Sequence, residues 1–346
     1  MGSRRHAIAA GFGACALWAS SSVCAAAQRV TGTRLVIALD QRASLLHLPL
    51  TLAERLGYFE AEGVAVEWRE LGSPQAAAQA VLRREAHLLC APLGQFWQPR
   101  DPFNLPLMRS FVLLSRTPQL VVGLSTKTLP HDADLVALRG RRIGVPGLGS
   151  MADRLGRTLL RRAAVMPDDL EWVPLAHPFA AVQAFRNGQV DALCYGDPVI
   201  RQLEQLGELR ALVDTRSLRG CTDVFGGPLP SACLGAPAAF LSQYPRSSQA
   251  LADAVVRALK WLQSAEPADV IKVVPEPFFL GDRYLYLQAF VRTRDAWSSD
   301  GVMPANGVAV VRDLLEAPDT SGVGKGALDE AYTNELALRA KQRWRA

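Results

Sequence analysis

Cysteine, net charge and long apolar runs are all scarce in this chain. Six cysteines in 346 residues, two of them before residue 28, are too few for a small disulfide scaffold. Positive charge is nearly balanced: residues 1–27 hold Arg4 and Arg5 and no acid, and the remainder carries 36 basic against 33 acidic residues, a net +3. No stripe of Arg and Lys interleaves with aromatics, which excludes a nucleic-acid footprint. After the first 27 residues no stretch reaches the roughly 18 apolar residues of a membrane helix. The histidines there are His47, His87, His131 and His177, with no H-x-x-x-H spacing and no C-x-x-C, so no metal site is expected. A P-loop, a G-x-S-x-G elbow and a paired-carboxylate motif are also missing, and neither a cofactor nor a catalytic constellation is expected.

What is present is a globular composition, with 49% hydrophobic and 21% charged residues. Disorder and collagen are excluded. A single core rarely grows past roughly 250 to 300 residues, so the length predicts two domains.

Met1 to Arg5 is short and basic, Ala7 to Val23 is apolar and rich in Ala and Gly, and Ala25-Ala26-Ala27 supplies an A-x-A cleavage pattern before Gln28. These features predict a signal peptide over residues 1–27. Ser3-Arg4-Arg5-His6-Ala7-Ile8 partly resembles the twin-arginine export motif, with Ala7 in place of an aromatic. Val23 stands where a lipoprotein site at Cys24 would need a small residue. The mature product is expected to be soluble and periplasmic.

Shifting the sequence by 104 positions aligns residues 67–90 with 171–194 without gaps, and ten of 24 positions are identical, among them Trp68/Trp172, Pro74/Pro178 and Cys90/Cys194. Chance would give about one or two, so a supersecondary unit is duplicated. Each copy reads as a strand, an Ala-rich helix entered through Pro, and an apolar strand. Each is preceded by another strand and an amphipathic helix: Arg34 to Leu39 then about Leu46 to Leu56, and Arg142 to Val145 then about Ser150 to Ala164. The pattern predicts two α/β domains, with ligands expected outside the carboxyl ends of their strands. The chain is expected to cross between them twice, near residues 120–126 and 225–234, forming a hinge.

Ala53-Glu54-Arg55-Leu56-Gly57-Tyr58-Phe59 and the adjoining Glu60 to Glu67 resemble the helix, G-Y-F, Gly, strand signature of the nitrate/sulfonate/taurine family of ABC-transporter substrate-binding proteins, which includes thiamine-pyrimidine-precursor binders. Arg142-Ile143-Gly144-Val145-Pro146-Gly147-Leu148-Gly149-Ser150 resembles the family's second-domain strand and Gly/Ser loop. Asp300-Gly301-Val302-Met303-Pro304 and Tyr332-Thr333-Asn334-Glu335 resemble its carboxyl-terminal segments. The resemblance spans residues 34 to 336. It implies a type II periplasmic-binding-protein fold, two α/β domains joined by a two-stranded hinge with the ligand cleft between them. Residues 28–122 and 230–346 would form domain 1 and residues 123–229 domain 2. It also implies a monomer that carries a small-molecule solute to an ABC permease in the inner membrane.

Carboxyl ends of strands and the adjacent helix starts select Asp40, Gln41 and Ser44, then Gly94 and Gln95 beside Leu93, then Gly149, Ser150 and Met151, then Tyr195 and Asp197 beside Gly196. The turn Gly147 to Ser150 exposes backbone N–H groups and offers a capping hydroxyl, a combination that favours an anion. Ser150 is followed by Met151 and Ala152, however, where oxyanion-binding relatives often carry consecutive hydroxyl residues. Asp40, Asp197 and Asp223 would pair with an amine, orient a ring N–H or cap helices, and Phe225 or Tyr195 would cover a planar ligand. The ligand class is open between a small organic anion (a sulfonate or carboxylate) and a pyrimidine-like heterocycle.

Cys221 and Cys233 bracket a Gly/Pro-rich segment and are candidates for a disulfide; Cys90 and Cys194 are expected as buried thiols. An exported enzyme or a ligand sensor on the same fold is the alternative. The superfamily's pyrimidine synthase and desulfinase use a cysteine cluster and a cysteine near the first strand, and this chain has neither, with no cysteine between Cys24 and Cys90.

Overall fold

The structure is a computed structural model that describes residues 33–97, 106–279, 281–315 and 328–346. The leader expected over residues 1–27 lies outside them. Strand β1 (Thr33–Leu39) is followed by helix α1 (Leu48–Arg55) and a single helical turn, α2 (Tyr58–Ala61). Gly57 and Gly63 flank α2 at φ +69° and +76°, a conformation that glycine adopts without steric cost. The two left-handed residues fold the turn back so that Phe59 is buried against Trp68, with ring centroids 6.3 Å apart. Spacing in the G-Y-F segment thus reflects backbone geometry.

The chain continues through β2 (Val64–Glu70), α3 (Pro74–Leu82), β3 (Leu88–Ala91) and β4 (Met108–Ser115). It then enters a second sheet with β5 (Leu120–Ser125), β6 (Arg142–Val145), α4 (Met151–Arg162), β7 (Glu171–Pro174) and α5 (Pro178–Arg186). The remaining elements there are β8 (Ala192–Gly196), α6 (Val199–Gln205), β9 (Leu209–Asp214) and α7 (Leu218–Phe225). Strand β10 (Ala232–Pro237) returns to the first sheet. Helices α8 (Ala238–Gln243), α9 (Pro245–Ser264), α10 (Pro267–Val273), α11 (Arg283–Arg292), α12 (Ala305–Leu315) and α13 (Glu335–Trp344) complete the chain.

Strand order is β2-β1-β3-β10-β4 in the first sheet and β7-β6-β8-β5-β9 in the second, the same topology twice. The register repeats as well. Ile37 lies opposite Trp68 and Leu88, and Ile143 lies opposite Trp172 and Ala192. Both partner pairs differ by the repeat's shift of 104 positions. In each sheet three parallel strands are joined by an antiparallel one, β10 or β5, supplied by a crossing from the other sheet.

The crossings occupy residues 116–119 and 215–231, so the first falls earlier than the expected 120–126: Leu120–Ser125 already pairs with β8 and β9. They run side by side. Leu229 N–H donates to the Arg116 carbonyl at 2.8 Å, Ser231 N–H to Ser115 at 3.0 Å, and Thr215 N–H to Leu120 at 2.9 Å.

Alternating residues of β1 bury on opposite faces: Leu35, Ile37 and Leu39 pack with α9 and α11, while Ala38 joins a core shared with α3, α12 and the facing side of the second sheet. A third cluster, including Val121, Phe185 and Tyr195, covers the far side of the second sheet. The two carboxyl-terminal motifs meet directly. Asn334 accepts the Met303 N–H at 2.8 Å and donates to the Met303 carbonyl at 3.0 Å.

The candidate disulfide is not formed: Cys90, Cys194, Cys221 and Cys233 are all free and buried. Cys233 sits inside the first sheet between β3 and β4, whereas Cys221, on α7, donates its thiol hydrogen to the Gly227 carbonyl at 3.4 Å. Among the described residues no helix is long and apolar enough to cross a membrane.

Gly235 marks the tightest point of the first sheet, because a Cβ there would meet the Phe96 ring at 2.2 Å and the Arg109 carbonyl oxygen at 2.4 Å. Gly235→Ala is expected to destabilise the protein by about 3 kcal/mol, the upper range for overpacking, as read from the urea midpoint at unchanged slope.

Candidate functional site

A cavity of about 340 Å³ opens between the two sheets. Its walls come from the ends of the parallel strands and the loops they enter: Asp40, Gln41 and Ala43 to Leu46 after β1, Glu70 and Gly72 at β2, Pro146 and Ser150 after β6, Ala176 to Pro178 after β7, and Gly196 to Val199 at β8. Pro118, Gln119 and Leu120 form its hinge side. Phe278, Tyr286 and Thr293 close it from the segment that returns to the first sheet.

The loop after β1 is held by its own hydrogen bonds. Asp40 Oδ1 accepts the Gln41 N–H at 2.7 Å, and the buried His47 donates from Nδ1 to the Gln41 carbonyl at 2.9 Å, which fixes its tautomer. Ser44 Oγ accepts the Leu46 N–H at 3.3 Å and starts the next turn. Glu70 reaches across to accept the Arg42 N–H at 2.9 Å, while the Arg42 guanidinium pairs with Glu54 and lies 4.6 Å over Trp68.

Ser150 caps α4 by accepting the Asp153 N–H at 3.2 Å. Asp153 in turn accepts the Gly149 N–H at 2.8 Å and the Arg157 Nε–H at 2.7 Å. The positive end of α4 is therefore already occupied by a carboxylate of the chain. That arrangement opposes the anion preference read from the Gly147 to Ser150 turn.

Asp197 is buried against Arg216, whose side chain has no exposure and whose Nη1 lies 3.2 Å from Asp197 Oδ1. Arg216 also donates to Glu204 at 2.7 and 3.0 Å and to Asp214 at 2.8 and 3.0 Å. Arg292, on α11, reaches Asp214 at 2.7 Å, and Arg201 lies 3.9 Å from Glu204. Three guanidinium groups thus balance three carboxylates. Burial pushes the Asp214 carboxyl up, yet hydrogen bonds from Arg216 and Arg292 outweigh it and hold its pKa at about 2. For Asp197 burial prevails over Arg216, and its pKa is raised. Tyr195 donates its hydroxyl to the Leu175 carbonyl at 3.0 Å.

Of the residues selected from the sequence, Asp40, Gln41, Ser44, Ser150, Met151, Tyr195 and Asp197 come together in this cavity. Gly94 and Gln95 do not. After β3 the chain is tied to the second crossing, Leu93 N–H donating to the Pro230 carbonyl at 3.2 Å, and these two residues line a separate groove of about 430 Å³ beside Arg154 and Arg157. Met151 and Pro118 belong to both hollows. Gly149 is turned into the cap of α4 at φ +76° rather than onto the cavity wall. Phe225 is buried on α7 under the Arg162 guanidinium, 5.3 Å from its ring, and Asp223 is an exposed partner of Arg219.

Sequence reasoning missed Glu70, Gln119, Phe278 and Tyr286. Glu70 ends a strand whose neighbour was chosen, so the same rule would have found it. The other three carry no motif and reach the cavity through the hinge and the returning segment. Buried side-chain atoms without a hydrogen-bond partner cluster in the first crossing: Arg116 Nε, Thr117 Oγ1 and Gln119 Oε1. Among the described residues no group of His, Cys, Asp or Glu side chains is placed to hold a metal ion.

Two sheets of one topology, joined by paired crossings around a cleft at the carboxyl ends of their strands, define the type II periplasmic-binding-protein fold. The chain belongs to the NMT1/THI5-like family, whose model matches residues 45–268. Among solved structures it is similar to a protein from Bordetella bronchiseptica RB50, with 33% identity, 90% of this chain and 98% of that one covered, and a TM-score of 0.82. The alkanesulfonate-binding protein SsuA from Xanthomonas axonopodis pv. citri, bound to MOPS, is similar at 19% identity, with 87% and 98% covered and a TM-score of 0.63. The periplasmic nitrate-binding protein NrtA from Synechocystis PCC 6803 is similar at 15% identity, with 91% and 89% covered and a TM-score of 0.61. The last two likenesses are of fold. No curated protein matches the sequence.

Arg216→Met is expected to cost about 3–5 kcal/mol at pH 7, because it strands buried carboxylates. Asp214 has a folded pKa below its unfolded value of about 3.9, so its stabilising contribution is complete above about pH 5 and is lost as pH falls toward 2. Urea melts of the two proteins should therefore converge over that interval.

Proposed function

We propose that the chain is the periplasmic solute-binding component of an ABC importer, closing its two domains as a monomer on a small organic solute and delivering it to an inner-membrane permease. The observation that carries this reading is the cavity between the sheets, bounded by only two crossings that hydrogen-bond to each other. A solute that touches both walls stabilises the closed arrangement over the open one, and that difference in affinity drives closure. Export rests on the leader read from the sequence.

Of the two ligand classes left open by the sequence, the walls favour the non-anionic one. Among the described residues the lining holds Asp40, Glu70 and Asp197 and no lysine or arginine. The start of α4, where an oxyanion would be sought, is taken by Asp153.

An enzymatic reading lacks an activated nucleophile among the described cysteines. Burial raises the Cys194, Cys221 and Cys233 thiols to about 12 and pushes Cys90 well up, so none is a thiolate near neutral pH.

Small molecules released from the purified exported protein, identified by mass spectrometry and titrated back, test the reading. One of them is expected to return unchanged and to raise the melting temperature, a ligand at 100 times its Kd adding about 2.7 kcal/mol. Chemical conversion of the compound during incubation would refute it. Ala176, exposed on the cavity wall, offers a control. Ala176→Trp should abolish the thermal shift while changing urea stability by less than about 0.5 kcal/mol.

A further inference from the structure

The charges around the cavity do not cancel. Asp197 is matched within the cluster of Arg216, Arg201 and Arg292, and Asp153 is matched by Arg157. Arg42 interacts with Glu70 but is paired with Glu54, so one guanidinium is shared by two carboxylates. Asp40 is left without a cationic partner and Glu70 with only a share of Arg42, and the described lining has no lysine or arginine to offset them. His47 stands 3.5 Å from Asp40 with its Nδ1 hydrogen already given to the Gln41 carbonyl. A partly desolvated carboxylate such as Asp40 attracts a cation more strongly than it would in water, because the walls exclude the solvent that screens it, while the exposed Glu70 adds a more screened attraction.

A second feature is independent of charge. Tyr286 is 2% exposed and lines the same cavity, yet its hydroxyl has no hydrogen-bond partner among the described residues. The hydroxyl is not sealed from solvent either. A buried tyrosine almost always finds a partner for its O–H. Here the remaining direction is the cavity. The ring is held in place from behind by Phe279, 5.1 Å away at 72°.

Resting on the reading of the chain as a solute receptor, we propose that the cleft selects an organic cation bearing N–H donors, an ammonium or amidinium group, with Asp40 and Glu70 as its counter-charges and Tyr286 as a ligand contact that fixes its orientation. Asp40 retains an oxygen, Oδ2, free of any protein hydrogen bond among the described residues. An amidinium presents two N–H groups in one plane, enough to engage a carboxylate and the phenol oxygen together. Met151, Phe278 and Tyr195 supply apolar surface for the rest of the solute.

The probes are benzamidinium, neutral benzamide and benzenesulfonate, three ligands that share one ring and differ in charge and donors. Their affinities are measured by saturation-transfer NMR titration of the full-length mature protein at low and high salt. Benzamidinium is expected to bind at least tenfold more tightly than benzamide and to weaken with salt, and benzenesulfonate is expected not to compete. Asp40→Asn should erase the preference for benzamidinium over benzamide. Tyr286→Phe should weaken benzamidinium about three- to tenfold, the value of one hydrogen bond, with the melting temperature of the ligand-free protein unchanged. A merely structural tyrosine would show the reverse. Competition by benzenesulfonate, an unaltered affinity in Tyr286→Phe, or no binding by any probe would overturn the proposal. Those results leave the receptor reading standing if a co-purified anion still binds; if no released compound binds either, both fail.

Discussion

Arg216 is the group around which the second domain and the hinge are arranged. A guanidinium with no exposed surface cannot give up its charge, so the fold must bring acceptors to it. Asp214 comes from the end of β9, Glu204 from α6, and Asp197 from the end of β8. These are three different elements, and Arg216 opens the second crossing. Its donors thereby tie the start of the crossing to the end of β9, to α6 and to the cavity wall at Asp197. Arg292 extends the cluster to α11, which packs on the first sheet. The same guanidinium that closes the fold of one domain is linked through the Asp214 carboxylate to the surface of the other.

The cluster also decides the character of the cleft. Because Asp197 is spent on Arg216, it contributes polarity to the wall without a free charge, and the carboxylates that remain unmatched or only partly matched are both on the first domain. The second domain meets the cavity with hydroxyls, a proline-rich turn and the capped start of α4. A cation bound as proposed would be held electrostatically from one side and by shape from the other.

Much of this was legible in the sequence because the repeat carries backbone information. Trp68 and Trp172, or Pro74 and Pro178, mark equivalent positions in strand and helix, and two copies of one unit must build two sheets of one order. Asp40, Ser150, Tyr195 and Asp197 were legible for the same reason: each lies at or just past the end of a parallel strand. The rule failed at Gly94 and Gln95, where a crossing strand pulls the end of β3 away from the cleft. It overreaches at Gly149 because Asp153, three residues past the cap, is an internal anion that takes the Gly149 N–H. Tyr286, Phe278 and Gln119 were illegible because nothing local places them; they arrive by long-range packing, which a single sequence does not encode in spacing. The Cys221 and Cys233 pairing suggested by loop composition is not formed, Cys221 lying on α7 and Cys233 within the first sheet.

The first crossing carries Arg116 Nε, Thr117 Oγ1 and Gln119 Oε1 without hydrogen-bond partners, in a segment buried against the sheet ends. Each such atom costs about 1–3 kcal/mol relative to a satisfied one. The shorter crossing therefore keeps polar atoms that can take new partners, and it does so without a glycine in residues 116–119.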